Sequence, residues 1–378
     1  MTSRSACTSA GVRRGPPPAE ATGSPVCRRT RRRRSSIGSA YSHGEDRPEA
    51  ARFLRRVRAA AATALAGSVG RVTSSLIVSV PTDELRDDLQ PLPEGVEVLV
   101  WDMTDAAPRP HIDIVVPPYM SMDGVIARLS EVSTRLVQGQ SIGYDNVEGR
   151  LPEGIVFANA TSVHETATAE LAVTLALAAQ RALPRFVRAQ DRAQWKPKQT
   201  PGLADARVTL LGFGGVGRAI AARLKPFEVD LRAVASHGRL QDDVEVLPLG
   251  ELHDVLAATD VLIVSLPGGD KTQHLVDDAA LSALPEGALV VNVGRGPVID
   301  TDALVDHVQR GRIRAALDVA DPEPLPTDHP LWSLEGVLIA PHVGGATAAM
   351  RPRIARLVRR QIDHVLAGEE PENVVLRG

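Results

Sequence analysis

Three short stretches late in the chain carry residues whose types and spacing could do acid–base chemistry on a carbonyl. The first, Val291-Asn292-Val293-Gly294-Arg295-Gly296-Pro297, holds an arginine between glycines, where its fork can meet a carboxylate. The second, Leu317-Asp318-Val319-Ala320-Asp321-Pro322-Glu323-Pro324, puts one acid on an apolar run and another on a proline-stiffened loop. The third, Ala340-Pro341-His342-Val343-Gly344-Gly345, sets a histidine at the end of another apolar run. Arg, Glu and His converging beside a hydride donor are what reduction of a 2-keto acid needs. Arg295 would bind the substrate's carboxylate and carbonyl. Protonated His342 would give its proton to the carbonyl oxygen, and Glu323 would orient the ring and stabilise its positive charge. Taken singly, His342 reads equally well as a structural histidine and Glu323 as a surface loop charge. Their joint appearance after a dinucleotide fingerprint favours chemistry.

That fingerprint lies in Val208 to His237. An apolar run, Val208 to Leu211, is followed by Gly212, Gly214 and Gly217, then by a helix-compatible run from Ala219 to Leu224 and a second strand-like run from Val229 to Ala235. In such a βαβ unit the first glycine allows the tight turn. The second lets the backbone approach a pyrophosphate at the helix N-terminus, and the third lets helix and strand pack closely. The end of the second run decides the cofactor. NAD enzymes place an acid there for the ribose 2′-hydroxyl. Here the window reads Ala235-Ser236-His237-Gly238-Arg239. A hydroxyl and a guanidinium would bind a 2′-phosphate that a carboxylate would repel, so NADP(H) is expected over NAD(H). If Arg239 is only a solvated loop charge, NAD(H) is the cofactor.

These stretches need a scaffold. Short apolar runs at Leu76–Val80, Val96–Trp101, Ile112–Val116, Arg135–Gln138 and Ile155–Ala158 read as strands. So do Asp260–Leu266, Ala288–Asn292, Ala315–Val319 and Val337–Ala340. Helical patterns alternate with them, which predicts an α/β fold with parallel sheets and ligand loops gathered at the strand C-termini. The second sheet should hold about six or seven strands. His164 to Gln180 is Ala- and Leu-rich around most of its circumference and should be buried, with a further helical run to about Trp195 and with Glu165 and Glu170 structural. Ala349 to Ala367 is amphipathic. Two loops near strand ends attract notice: Pro117-Pro118-Tyr119-Met120, and Ser141-Ile142-Gly143, whose free N–H groups could hold a carboxylate.

Bulk composition narrows the classes. The chain has 378 residues, enough for two domains with cores of their own. No run approaches the roughly 18 apolar residues of a membrane span. Both cysteines, Cys7 and Cys27, lie near the N-terminus, so disulfides and thiolate metal sites are excluded from the core and no metal is expected. Residues 1–71 hold 15 Arg, no Lys and 4 acidic residues, against 28 basic and 42 acidic residues in the remainder. An acidic body argues against a nucleic-acid enzyme. Residues 1–73, with Pro16-Pro17-Pro18 and the run from Arg28 to Arg34, read as a disordered basic extension. A stretch upstream of the true gene start, near Val72 or Thr73, is the other reading.

Taken together, GFGGVG, VNVGRGPVIDTDAL, LDVADPEPLP and APHVGGAT resemble, in order, the signature segments of the D-isomer-specific 2-hydroxyacid dehydrogenases. The likeness runs from about Ser74 to Arg377 and is of the glyoxylate/hydroxypyruvate reductase or phosphoglycerate dehydrogenase kind, without a regulatory domain. It implies two doubly wound parallel-sheet domains. A discontinuous flavodoxin-like substrate domain would span 74–164 and 345–378, and a Rossmann NAD(P)-binding domain 165–344. It implies Arg295, Glu323 and His342 as catalytic residues, and Tyr119, Ile142, Gly143 and Arg295 about the substrate. Around the cofactor it implies Gly212, Gly214, Gly215, Val216, Gly217, Ser236, His237, Arg239, Leu266, Pro267, Thr272, Val293, Gly294, Asp318, Gly344 and Gly345, with Asp318 holding the nicotinamide carboxamide. A cytoplasmic homodimer acting on a small 2-keto or 2-hydroxy acid is expected, with no nucleic-acid or membrane partner. Substrate side-chain contacts should fall around Tyr119 and Trp332. Ser265 departs from the pattern, since a histidine often precedes the proline by two residues. Two other readings share the scaffold: a non-catalytic dinucleotide-sensing corepressor and a phosphite dehydrogenase. Glu323 weighs against the formate dehydrogenase branch, where Gln is implied.

Overall fold

The computed structural model describes residues 75–378 apart from position 121. The expected N-terminal extension therefore lies outside the described residues. The described residues form one compact unit built around two sheets. In chain order the strands are β1 Leu76–Val80, β2 Val96–Val100, β3 Ile114–Val115, β4 Leu136–Gln138, β5 Val156–Ala158, β6 Arg207–Leu211, β7 Asp230–Ala235, β8 Arg239–Gln241, β9 Val244–Pro248, β10 Val261–Val264, β11 Ala288–Asn292, β12 Ile313–Leu317, β13 Val337–Ile339 and β14 Val374–Arg377. The helices used below are α1 Asp83–Asp88, α2 Glu165–Gln180, α3 Leu183–Gln190, α4 Gly215–Leu224, α5 Thr301–Gln309 and α6 Met350–Ala367.

The first sheet has the order β14-β5-β4-β3-β1-β2, and the second β13-β12-β11-β10-β6-β7-β9-β8. Every pairing is parallel except the two edges, β14 on β5 and β8 on β9. The expected doubly wound α/β fold is present. The second sheet has eight strands rather than six or seven, because Arg239–Gln241 and Val244–Pro248 pair as an edge hairpin. β8 has no buried residue and β9 buries only Val244 and Val246, so neither carries an apolar run long enough to be read. Arg239 accordingly stands on a strand, not in a loop.

The central strands explain themselves. All four residues of β10 and all five of β11 are buried, as parallel strands covered on both faces require. Polar caps set the helix starts: Thr82 Oγ1 accepts the Leu85 N–H of α1 at 3.3 Å, and Asp300 Oδ1 accepts the Ala303 N–H of α5 at 3.1 Å. The Ala-rich α2 buries Ala169, Ala172, Leu175 and Ala176 in the same core as Val208, Leu210, Ile263 and Val291. Small residues there let the helix lie close to the sheet. α3 is shorter than the run to Trp195 that the sequence suggested. α6 buries Ile354, Leu357, Val358 and Ile362 against β1 and β3, so the chain's end completes the first sheet's core. Its arginines are engaged: Arg351 pairs with Asp88, Arg359 donates to the Asp88 and Leu89 carbonyls, and Arg360 pairs with Glu372.

Among the described residues no helix is long and apolar enough to cross a membrane, and no cluster of His, Cys, Asp and Glu could hold a metal ion.

Candidate active site

In the second sheet the chain runs from β6 outward through β7, then returns to β10 on the other side of β6. Ligands bind at such a switch point, outside the carboxyl ends of the strands. The turn after β6 supplies Gly212 at φ 103° and the start of α4. A Cβ on Gly217 would stand 2.2 Å from the Gly212 carbonyl oxygen, so the helix meets the turn at a distance only glycine permits. Gly214 caps α4 without a side-chain hydrogen bond, which leaves the first-turn N–H groups, from Gly215, Val216 and Gly217, facing an incoming anion. Ser265, where a histidine was the pattern, donates its hydroxyl to the Gly212 carbonyl at 3.2 Å and so braces this turn from β10. These features fit a dinucleotide's pyrophosphate.

The rim of the same cradle is built from the loops after β7, β10 and β11. Ser236 and His237 are exposed at the end of β7, with the Ser236 hydroxyl 3.0 Å from His237 Nδ1. Arg239 reaches back across the mouth of the turn. It donates to the Phe213 carbonyl at 3.2 Å and to the His237 carbonyl at 3.0 Å. After β10, Thr272 closes the Leu266-Pro267-Gly268 segment by donating to the Pro267 carbonyl at 2.8 Å. Gly294 lies so close to Leu266 that a Cβ would meet the Leu266 carbonyl oxygen at 2.5 Å, and Val293 is buried beside it.

β11, β12 and β13 are adjacent, so the loops that follow them converge. Asn292, 1% exposed, shapes the arginine loop: its side chain accepts from Gly294 N–H and donates to the Arg295 carbonyl, each at 3.0 Å. Asp318, 3% exposed, accepts the Val343 and Gly344 N–H groups at 2.8 and 2.9 Å. Burial pushes its carboxyl above the usual range, against the pull of those two N–H groups and of His342. The grip fixes the loop after β13, where His342 stands in the left-handed region at φ 52° and donates its N–H to the Asp318 carbonyl at 2.7 Å. His342 Nδ1 is hydrogen-bonded to Glu323 Oε1. Burial pushes the Glu323 carboxyl up, but the hydrogen bond and charge of His342, a backbone hydrogen bond at Ala320 and the charge of Arg295 outweigh it, and the net direction is down.

The first sheet brings its own loops to this place. After β4, Gln140 donates to the Pro117 carbonyl at 2.8 Å and Asn159 donates to the Ile142 carbonyl at 2.8 Å, which holds the Ser141–Gly143 turn. Gly143 lies directly under Arg295: a Cβ there would stand 1.3 Å from Nη2. Tyr119 stacks on His164, with ring centroids 5.6 Å apart, and its hydroxyl lies 2.7 Å from where a Cβ on Gly345 would be. Burial pushes the Tyr119 phenol up, Asp318 adds to that, and Arg295 opposes it. Trp332 stands half exposed after α5 and β12, its indole N–H on the Pro326 carbonyl at 2.8 Å.

Arg295, Gly143, Tyr119, Asp318, Glu323 and His342 are thus gathered from both sheets. Four neighbours were not singled out for function in the sequence. His164 is 4% exposed and its Nε2 meets the Gln140 carbonyl at 2.5 Å, tying the start of α2 to the β4 loop. Glu165 lies against Gly215 and accepts the Ser162 N–H at 2.6 Å. Asn292 shapes the arginine loop. Asp145 forms an ion pair with Arg295 at 2.8 Å. A polar residue at the end of a buried strand was a usable signal for Asn292. Nothing local marks His164 and Asp145, whose partners are distant in sequence, while Glu165 makes its hydrogen bond locally at the start of α2.

Residues 173–344 match the family profile described as D-isomer specific 2-hydroxyacid dehydrogenase, NAD binding domain. A glyoxylate reductase of Thermococcus kodakarensis is 30% identical over 313 residues, which cover 77% of this chain and 93% of the relative. A D-isomer specific 2-hydroxyacid dehydrogenase from Xanthobacter autotrophicus, solved with NADPH and MES, superposes with a TM-score of 0.68 at 27% identity, covering 80% of this chain and 98% of the other. An NADPH-dependent glyoxylate/hydroxypyruvate reductase from Sinorhizobium meliloti, solved with NADP and malonate, gives a TM-score of 0.67 at 28% identity over 80% of this chain and 97% of the other.

Proposed function

The chain belongs to the D-isomer-specific 2-hydroxyacid dehydrogenases, and on that premise we propose that it interconverts a small 2-keto acid and its D-2-hydroxy acid with a nicotinamide dinucleotide. The observation that carries the reading is the Glu323–His342 contact standing near an arginine that lies over Gly143. A bound nicotinamide dinucleotide supplies or takes up the hydride. The protein's own residues do the rest. Arg295 and the N–H groups around Ile142 and Gly143 bind the substrate's carboxylate, and Arg295 also polarises its carbonyl. Glu323 engages Nδ1 of His342, so Nε2 is the nitrogen that meets the carbonyl oxygen and holds the proton it receives. Asp318 fixes the loop that carries His342, and each of its oxygens keeps a lone pair with which it can also accept from a carboxamide. Tyr119 bounds the substrate's side-chain space.

The cofactor residues are those of the cradle and its rim. NADP(H) is the preferred form: Ser236, His237 and Arg239 offer a hydroxyl, an imidazole and a guanidinium where an acid would exclude a 2′-phosphate. The structural relatives solved with NADPH or NADP agree with this choice. Residues 74–164 with 345–378 act as the substrate domain and 165–344 as the cofactor domain. Leu183 and Val187, one helical turn apart on α3, and Trp195 beyond it are exposed by 49%, 56% and 96%. Such an unpartnered apolar face on a family member suits a homodimer through this region. A cytoplasmic setting suits a chain without cysteine after Cys27.

A panel of glyoxylate, hydroxypyruvate, pyruvate, phenylpyruvate and 2-ketoisocaproate, each with NADPH and NADH, tests the proposal. Turnover of at least one acid, faster with NADPH, is expected. Tight dinucleotide binding with no turnover of any of them would point instead to a sensing protein, and phosphite oxidation to the other enzyme on this scaffold.

A further inference from the structure

The ion pair between Asp145 and Arg295 crosses between the two sheets. Asp145 follows the Ser141–Gly143 turn after β4, and Arg295 follows β11. Arg295 Nε donates to Asp145 Oδ2 at 2.8 Å, and Nη1 donates to the Gly294 carbonyl at 2.9 Å. Two glycines admit the pair. A Cβ on Gly143 would stand 1.3 Å from Nη2 and 3.2 Å from Asp145 Oδ2. A Cβ on Gly268, in the loop after β10, would stand 3.0 Å from Asp145 Oδ1 and 3.4 Å from Arg295 Cγ. The guanidinium is a rigid fork, so fixing Nε and Nη1 fixes where Nη2 points. Of the five N–H groups, Nε and one on Nη1 are engaged; both on Nη2, over Gly143, and the second on Nη1 remain, so the outer edge of the fork is what is left for a ligand.

Charge in the cleft is correspondingly spoken for. Arg295 is the guanidinium of the cluster, with the His342 imidazole beside it, and Asp145, Glu323 and Asp318 are its carboxylates, so acidic groups already outnumber basic ones. A substrate carboxylate seated on Nη2 and the Gly143 turn would contact the guanidinium directly, which offsets its charge locally. A second would meet Asp145 with no cation left to offset it.

We propose that Asp145 is a positioning residue that presents a single edge of Arg295 to the substrate, and that its charge restricts the site to 2-keto acids with one carboxylate. This rests on the assignment of Arg295 as the carboxylate-binding residue. The side chains of Arg295 and Asp145 are 29% and 42% exposed, so the pair contributes little to stability and its effect belongs in kinetics.

The test is steady-state reduction by the full chain and by Asp145→Ala and Asp145→Asn, with glyoxylate or pyruvate against the dicarboxylic oxaloacetate and 2-ketoglutarate. Dinucleotide affinity and thermal midpoint are measured alongside. Asp145→Ala frees the fork, and kcat/KM for the monocarboxylic acid should fall by about tenfold to a hundredfold, as expected for a misplaced binding group. Asp145→Asn keeps an acceptor for Nε and removes the charge. It should restore most of that loss, and should raise kcat/KM for the dicarboxylic acids relative to the monocarboxylic one by about tenfold. Dinucleotide affinity and thermal midpoint should not move in either variant. Wild-type kinetics in Asp145→Ala, or an unchanged ratio between the two acid classes in Asp145→Asn, overturns the inference while leaving the dehydrogenase reading intact. A wild-type protein that turns over no 2-keto acid removes both.

Discussion

His342 Nδ1 is held by Glu323 Oε1 while the His342 backbone stands at φ 52°, a conformation that non-glycine residues rarely adopt. The two constraints act on one side chain from opposite ends. The backbone is kept there by its N–H bond to the Asp318 carbonyl and by the Asp318 carboxylate on the next two N–H groups. Strain of this kind persists where surrounding structure over-determines it, and it clusters at functional sites.

Glu323→Gln should retain activity at low pH and lose it at a lower alkaline limit than the wild type. An amide still orients the ring but no longer stabilises its positive charge. A pH profile of kcat/KM for keto-acid reduction checks this, and superimposable profiles would count against it. Stability carries the same sign. The folded Glu323 carboxyl lies below its ordinary value, so its contribution is present above the ordinary glutamate range and is lost as pH falls through the lowered value. Thermal midpoints across that acid range should therefore fall more steeply for the wild type than for Glu323→Gln.

Ser236→Asp should move cofactor preference toward NADH by roughly tenfold or more in the ratio of kcat/KM values, because a carboxylate at the end of β7 repels a 2′-phosphate. Steady-state kinetics with both cofactors reads it directly. An intrinsic preference for NADH that the substitution leaves alone would refute the assignment of Ser236, His237 and Arg239.

Leu183→Glu combined with Val187→Glu puts two charges on the exposed face of α3. If that face joins two copies, sedimentation should show a dimer for the wild type and a monomer for the variant at the same concentration. Leu183 and Val187 belong to no buried cluster, so the fold should survive the change. A dimer that persists in the variant places the interface elsewhere.

Much of this was legible in the sequence, for identifiable reasons. β10 and β11 are uninterrupted buried apolar runs, and Gly212 and Gly217 occupy positions where a φ of 103° and a 2.2 Å approach admit nothing larger. Arg295, Glu323 and His342 could be named because each sits in a short stretch whose Gly and Pro neighbours mark a strand end. The hairpin of β8 and β9 escaped notice because it is short: Val244, Glu245 and Val246 alternate over only three residues, and β8 buries none of its own. Asp145 and His164 escaped notice because their partners are distant: Arg295 is 150 residues from Asp145, and Gly345 is 181 residues from His164. A sequence read in windows cannot see a contact made only by packing two sheets together.

The most direct measurement is single-turnover reduction of a 2-keto acid that the wild type accepts, by wild-type protein and by His342→Ala, each preloaded with reduced dinucleotide. Loss of the proton donor should slow the hydride step by at least about a hundredfold, the lower end of what general acids contribute. Dinucleotide affinity should be unchanged, because the Gly212–Gly217 turn is untouched. Hydride transfer at a near-wild-type rate in His342→Ala would contradict the account and leave a dinucleotide-binding protein whose chemistry lies elsewhere.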